Sequence, residues 1–176
     1  MSNTQFITDR EIYERVLQEQ VPKALDFVWI GTSDIKDLHV DANRRMVPFL
    51  KILSGLIKKQ VSIRLIHAKE PGKAFRDDFD KYPNLITGME RLLCPRVHFK
   101  CVIVDGRFAY TGSANLTGAG MGAKSPKRRN FESGIITTAP ALIDPIMEQF
   151  DSVWRGDFCP DCQRKDYCAD YKDILR

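Results

Sequence analysis

Two apolar runs, residues 97–104 and 107–111, are joined by Asp105-Gly106. No other stretch restricts the fold of this chain as tightly. An Asp-Gly pair between two strand-length runs predicts a β-hairpin, because a two-residue hairpin turn favours residues that tolerate positive φ. A hairpin of this kind requires a sheet to belong to. Strand alternation then sets His98, Lys100, Val102 and Val104 on one face and Phe99, Cys101 and Ile103 on the other. An imidazole and an ammonium therefore lie side by side on a surface that is otherwise apolar. A lone histidine there would be a core residue, and a lone lysine would mark an edge. The pair together, followed by Asp105 and then Gly112-Ser113-Ala114-Asn115, asks for a chemical reason.

The flanking sequence supplies the rest of an α/β domain. Thr8-Asp9-Arg10-Glu11 fits a capping box, and Ile12, Val16 and Leu17 continue an apolar stripe, so a helix is expected over residues 8–20, ended by Pro22. Residues 24–30 form a buried strand closed by Gly31, and a polar loop runs through Asn43. Residues 46–59 carry Val47, Leu50, Leu53, Leu56 and Ile57 at helical spacing, and residues 61–66 read as the next strand. Strand, helix, strand is the unit of a parallel sheet with a crossover helix. Residues 69–84 are polar and turn-rich. Further strands are expected at 89–93 and 133–138, and a closing helix at 142–154. The glycine-rich stretch 118–130 is expected to be a mobile loop. The fold class is thus α/β: a mixed, largely parallel β-sheet flanked by helices. One catalytic domain over residues 1–156 is expected, with a Cys-rich tail over 157–176.

At 176 residues the chain has room for one such domain and not two. No apolar run reaches membrane-spanning length, and the first residues lack the basic and apolar regions of a secretory signal. A cytoplasmic protein in a reducing compartment, with no membrane association, is expected. The formal charge of +4 is too small to identify a partner by itself. Its distribution says more: Lys124, Lys127, Arg128 and Arg129 cluster just after the motif, as a nucleic-acid-binding patch beside a phosphate site would.

The residues His98, Lys100, Asp105, Gly112, Ser113 and Asn115 follow H-x-K-x4-D-x6-G-S-x-N without departure. This spacing resembles the signature of the phospholipase D superfamily. Asn130-Phe131-Glu132 resembles the family's N-x-E element, and the resemblance extends over roughly residues 24–155. It implies a phospholipase D-like fold and phosphodiester chemistry that needs no metal. One histidine attacks phosphorus to form a phosphohistidine, while a second protonates the leaving oxygen and then activates water. Carried over, His98 is nucleophile or acid, Lys100 and Asn115 clamp the phosphate, and Ser113 assists. Glu132 is expected to orient His98 by a hydrogen bond. Asp105 belongs to the catalytic signature, but its place in a hairpin turn, facing away from the cleft, favours a structural role.

The full signature occurs once: His67-Ala68-Lys69 repeats His-x-Lys, but Ala74 stands where the Asp would fall and no Gly-Ser-x-Asn follows, and His39 starts no copy either. Two-histidine chemistry then demands a second chain, and a two-fold homodimer with one composite site is expected. After the closing helix, Cys159, Cys162 and Cys168 place three cysteines in ten residues. In a reducing compartment this pattern favours a structural metal site, zinc before an iron–sulfur cluster, over disulfides. The spacing C-x2-C-x5-C also resembles the iron–sulfur loop of endonuclease III-type glycosylases, but Ser152 stands where that loop has a further cysteine. Cys94, Cys101, His39 or His67 would have to supply a fourth ligand. No cofactor is expected in catalysis.

These features point to a phosphodiesterase acting on nucleic acid, with DNA favoured over RNA and an endonuclease as the leading form. A phospholipid phosphodiesterase or phosphatidyltransferase is the alternative enzyme, although neither an apolar anchor nor an interfacial helix is visible. A non-catalytic nucleic-acid-binding module is the third reading, and it would have no need of the histidine.

Overall fold

The hairpin organises the sheet as its sequence requires. A computed structural model describes residues 3–36, 38–42 and 44–171. In it β7 (Cys101–Val104) and β8 (Phe108–Gly112) pair antiparallel across the Asp105-Gly106 turn, with φ of 54° and 62° at the two turn residues. Residues 97–100 lead into β7 without joining the ladder. The expected alternation holds nonetheless. Val102 and Val104 belong to the core on one face of the sheet, and Phe99, Cys101 and Ile103 to the core on the other.

Five further strands join this hairpin: β1 (Thr4–Thr8), β2 (Phe27–Thr32), β5 (Ser62–His67), β6 (Met89–Leu93) and β9 (Ser133–Thr137). The resulting sheet of seven strands has the order β1-β9-β8-β7-β2-β5-β6. The mixed α/β sheet is therefore present, with its parallel part smaller than expected. Only β2–β5 and β5–β6 are parallel, while β2–β7, β7–β8, β8–β9 and β9–β1 are antiparallel. The reason lies in the connections. β2 to β5 and β5 to β6 are joined by helical crossovers, which parallel neighbours need, whereas the tight turn after β7 can only reverse the chain.

Helices cover both faces. On one side lie α1 (Arg10–Ile12) with the π-helical turns Tyr13–Gln20 that continue it, α2 (Phe49–Lys58), α3 (Lys73–Phe79) and α4 (Pro83–Gly88). Tyr13, Val16, Leu17, Phe49, Leu53 and Leu85 are buried there against Val28, Ile30, Ile63 and Leu65. On the other side α5 (Pro140–Arg155) buries Ile143 and Phe150 against Ile66, Ile103 and Ala109. Phe150 stacks on Trp29 at 5.0 Å and on Trp154 at 6.1 Å between ring centroids.

Three expectations about elements are corrected. The first helix starts at Arg10 rather than residue 8, because Thr4–Thr8 is an edge strand paired with β9. Only Ile7 of that strand is buried, so its sequence carries little alternation. Half of the capping box survives, with the Thr8 N–H donating to Glu11 Oε2 at 2.9 Å. The loop before Asn43 contains β3 (His39–Ala42), which forms a separate two-stranded sheet with β4 (Arg45–Pro48). The second helix consequently begins at Phe49 and not at residue 46. Pro48 bars Val47 from helical geometry, which confines the helix to its C-terminal side.

Asp105 fastens the centre of the sheet. Its carboxylate accepts hydrogen bonds from the backbone N–H groups of Leu25, Asp26 and Phe27 at 2.8–2.9 Å, and its own N–H donates to Phe27 O at 3.0 Å. This signature residue thus ties the start of β2 to the β7–β8 turn. Burial alone would raise the Asp105 carboxyl, but the three N–H donors and Arg107 outweigh it and hold the group below the ordinary carboxylate range. A depressed folded-state value stabilises above the unfolded value of about 3.9 and is lost as the pH falls through the folded one. Asp105→Asn is expected to cost about 1–3 kcal/mol in urea unfolding at pH 7. The difference from the unsubstituted protein should shrink in acid, below pH about 4. Equal stabilities at pH 7 would show that the three bonds hold nothing.

Candidate active site

The approach of β8 to β9 shapes the ground on which the site stands. Gly112 and Gly134 face each other in the register, and the Tyr110 ring packs over both. A Cβ on Gly112 would run into the Ser133 carbonyl oxygen and the Tyr110 hydroxyl. The glycine of Gly-Ser-x-Asn is therefore set by close strand contact. Beyond it Ser113 turns toward β9, its N–H donating to Ser133 O at 2.9 Å and its Oγ donating to Glu132 Oε2.

Glu132 takes a different partner from the one expected. Its two carboxylate oxygens accept from Ser113 Oγ and from Asn130 Nδ2, the latter at 3.0 Å, rather than from His98. Its backbone is clamped on both sides by Asp9: the Glu132 N–H donates to Asp9 Oδ1 and the Asp9 N–H to Glu132 O, each at 2.9 Å. The β8–β9 register puts Ser113 beside Glu132, and this proximity decides the pairing. Sequence spacing between residues 98 and 132 contains no such information.

His98 and Lys100 meet as alternation requires. His98 is exposed and Lys100 is buried. The Lys100 ammonium curls back, donating to His98 O at 2.6 Å and lying 3.1 Å from His98 Nδ1. Burial pushes the Lys100 amine below its ordinary value, and the nearby Glu132 carboxylate offsets part of that effect. The backbone under this pair is fixed to β8, with the Gly112 N–H and Thr111 Oγ1 both donating to Lys100 O at 3.2 Å.

Asn115 does not open a helix; it begins a series of hydrogen-bonded turns. Its Oδ1 accepts from Ser33 Oγ at 2.7 Å and from the N–H groups of Ser33 and Asp34 at 3.2 Å each, which fastens it to the loop after β2. Asn115 also lines a cleft. That cleft, of about 250 Å³, is lined by Asn115, Asn130, Asp34, Lys36 and Lys124 among others. A second cleft, of about 650 Å³, is lined by Arg96, His98, Asp161, Gln163 and Arg164 with Pro95 and Val97. Ser113 and Asn115 therefore diverge, one toward Glu132 and the other toward the β2 loop.

Of the four basic-loop residues, the structure places Lys124 in the Asn115 cleft, while Lys127 and Arg128 are exposed on the turn and Arg129 is half-buried. The loop itself is closely wound. The Lys124 N–H donates to Gly118 O, and those of Arg128 and Arg129 both donate to Ser125 O. Sequence reasoning missed Lys36, Arg96 and Arg164. Arg96 was legible in principle, two residues before His98 on the same alternation, but Lys36 and Arg164 reach the clefts only through the fold.

The structure thus sets a buried ammonium against an exposed imidazole and anchors an amide on the loop after β2. The family model described as the PLD-like domain of cardiolipin synthase matches residues 17–154. The chain belongs to the phospholipase D superfamily. Its match to the mitochondrial cardiolipin hydrolase of Chlamydomonas reinhardtii is 28% identical over 104 residues, covering 58% of this chain and 44% of that protein. The chain thus matches less than half the length of that curated relative. Among solved structures, NucT from Helicobacter pylori superposes with a TM-score of 0.66 at 15% identity, over 88% of this chain and 97% of that one. Nuc from Salmonella typhimurium, a phospholipase D family member, superposes with a TM-score of 0.62 at 18% identity, over 88% and 95% of the two chains. The superfamily is one of phosphodiesterases, and the fold of this chain conforms to it.

Among the described residues Lys100 is buried without an ion-pair partner, which costs stability. Lys100→Met is therefore expected to melt at the same temperature as the unsubstituted protein or higher. A clear fall in Tm by calorimetry would mean that Lys100 holds the fold together.

Proposed function

We propose that this protein is a phosphodiesterase that hydrolyses nucleic acid, DNA before RNA, as an endonuclease. The observation that carries the reading is the polar, cationic lining of the two clefts at His98 and Asn115, with Arg96, Arg164, Lys36 and Lys124 around them. A polyanion that spans more than one phosphate would use all four. Phe131, 96% exposed between Asn130 and Glu132, adds an aromatic face on which a base can stack. No helix among the described residues is long and apolar enough to cross a membrane.

In the proposed mechanism His98 attacks phosphorus through a ring nitrogen, and the P–O bond to the leaving oxygen breaks. A second histidine, His98 of another copy of this chain, gives the leaving oxygen its proton. That histidine then takes a proton from water, whose oxygen attacks the phosphohistidine and releases His98. Lys100 and Asn115 neutralise charge on the non-bridging oxygens. Ser113 and Glu132 act as a hydrogen-bonded unit at the edge of the site, and Asp105 has a structural part only. The reaction needs no metal, and the working form is a homodimer with one composite site.

A phospholipid substrate is the second reading, favoured by the matches to a cardiolipin synthase domain and a cardiolipin hydrolase. Labelled single- and double-stranded DNA, RNA and a phospholipid analogue, each with and without EDTA, separate the two. DNA cleavage that survives brief EDTA treatment is expected. His98→Ala should reduce it by roughly a thousandfold or more while DNA binding persists. Turnover of the lipid alone would replace the nuclease reading. An excess of His98→Ala protein mixed with active protein should suppress cleavage through mixed dimers, and an active monomer in sedimentation would refute the composite site.

The basic loop has its own test. Replacing Lys124, Lys127, Arg128 and Arg129 by alanine should weaken DNA binding and flatten its dependence on salt. The logarithmic slope should fall by about 0.7–0.9 for each phosphate that the loop no longer neutralises. An unchanged slope would remove this loop from the DNA interface.

A further inference from the structure

The tail acquires a fourth cysteine from the fold. A cavity of about 320 Å³ lies between the end of β6, the residues leading to β7 and the chain that leaves α5. Cys94, Cys159, Cys162 and Cys168 all line it. Cys94 follows β6 directly and stands four residues before His98. The other candidates for a fourth ligand are occupied elsewhere. Cys101 is buried in the core under α5, His67 Nδ1 lies 2.8 Å from Lys69 O, and His39 sits in the separate β3–β4 sheet.

The tail has little else to hold it. Among its described residues the regular structure is one 3₁₀ turn, Lys165–Tyr167, and Phe158 and Tyr167 are 57% and 77% exposed. A segment this short, without a core of its own, needs a staple. Yet its path is defined. α5 ends at Gly156 with φ 80°, which turns the chain back toward the sheet. The Cys162 N–H donates to Cys159 O at 3.1 Å, closing a C-x2-C turn. Asp170 Oδ2 accepts from the Leu93 N–H at 2.7 Å, and Cys168 Sγ donates to Leu93 O at 3.4 Å. Cys168 is thereby fixed next to Cys94, and the C-x2-C pair faces the same cavity.

We propose that Cys94, Cys159, Cys162 and Cys168 bind one structural zinc ion. Four thiolates, two from one tight turn and two from separate segments, are a donor set for tetrahedral zinc. Among the described residues no three metal-ligating side chains stand at bonding distance from a common point. The proposal therefore requires the four half-buried side chains to close onto the ion through new cysteine rotamers when it binds.

The consequence reaches the candidate active site. Arg96 and His98 form one wall of the 650 Å³ cleft, and Asp161, Gln163 and Arg164, from within the cysteine tail, form the other. A zinc ion shared by Cys94 and the tail would lock these walls at a fixed separation. This consequence rests on His98 lying in the functional site; the zinc site itself does not.

The test uses the full chain, prepared under reducing conditions with zinc supplied, and reads metal content without substrate. One zinc per chain by mass spectrometry is expected, released by a mercurial that titrates the thiols. Cobalt should substitute for it and give the visible absorption of a tetrahedral tetrathiolate. Cys94→Ser and Cys162→Ser should each reduce zinc retention at least tenfold, while Cys101→Ala should keep it. Removing zinc should expose the tail after Gly156 to limited proteolysis, with the remainder of the chain staying intact. Zinc content near zero after reconstitution would overturn the proposal, as would retention unchanged by Cys94→Ser. Iron with sulfide charge-transfer bands, or disulfides among these cysteines in the freshly prepared protein, would overturn it too. Should the variants fail to fold, cobalt titration of the unsubstituted protein decides alone.

Discussion

The Asp105 carboxylate holds together the two halves of the sheet. β2 is the junction, parallel to β5 on one side and antiparallel to β7 on the other. Three consecutive N–H groups entering β2 end on Asp105, in the turn that links β7 to β8. Such charge-assisted bonds are stronger than neutral ones and fix direction as well as distance. The register of β2 against β7 follows, and with it the position of the loop after β2 that receives Asn115. A signature residue far from the clefts thus determines where the residues at the clefts stand.

The site is assembled by layers of anchoring. Lys100 lies under His98, its backbone oxygen held by β8 and its ammonium by the His98 carbonyl. Glu132 is fixed by Asp9 and in turn fixes Ser113 and Asn130. Asn115 is gripped through its oxygen by the β2 loop. Ser113 and Asn115 are thus oriented by neighbours from distant segments, and Lys100 by its own segment and by β8. A buried amine and a strand contact that admits only glycine are unfavourable for folding alone.

The cysteine tail extends this logic to the edge of the domain. α5 buries one face of the sheet and ends in a left-handed glycine, so the chain after it returns past β6. The returning segment brings Asp161, Gln163 and Arg164 opposite His98. Whatever fixes the tail fixes one wall of that cleft, and four thiols stand where the two walls meet.

Local sequence patterns suffice for the hairpin, the alternation of His98 and Lys100 with Val102, and the apolar face of α2. These follow from local rules: the φ demanded by a turn, the two-residue period of a strand and the apolar stripe of a helix. The edge strand β1 and the β3–β4 hairpin were not legible, because an edge strand with one buried residue has no alternation to display. Tertiary structure alone decided that Glu132 bonds Ser113 rather than His98, that Asn115 turns away from Ser113, that most of the sheet is antiparallel and that Cys94 joins the tail cysteines. Each of these depends on which distant segments pair, and strand order and register are set by the packing of the whole sheet. Spacing along the chain does not encode them.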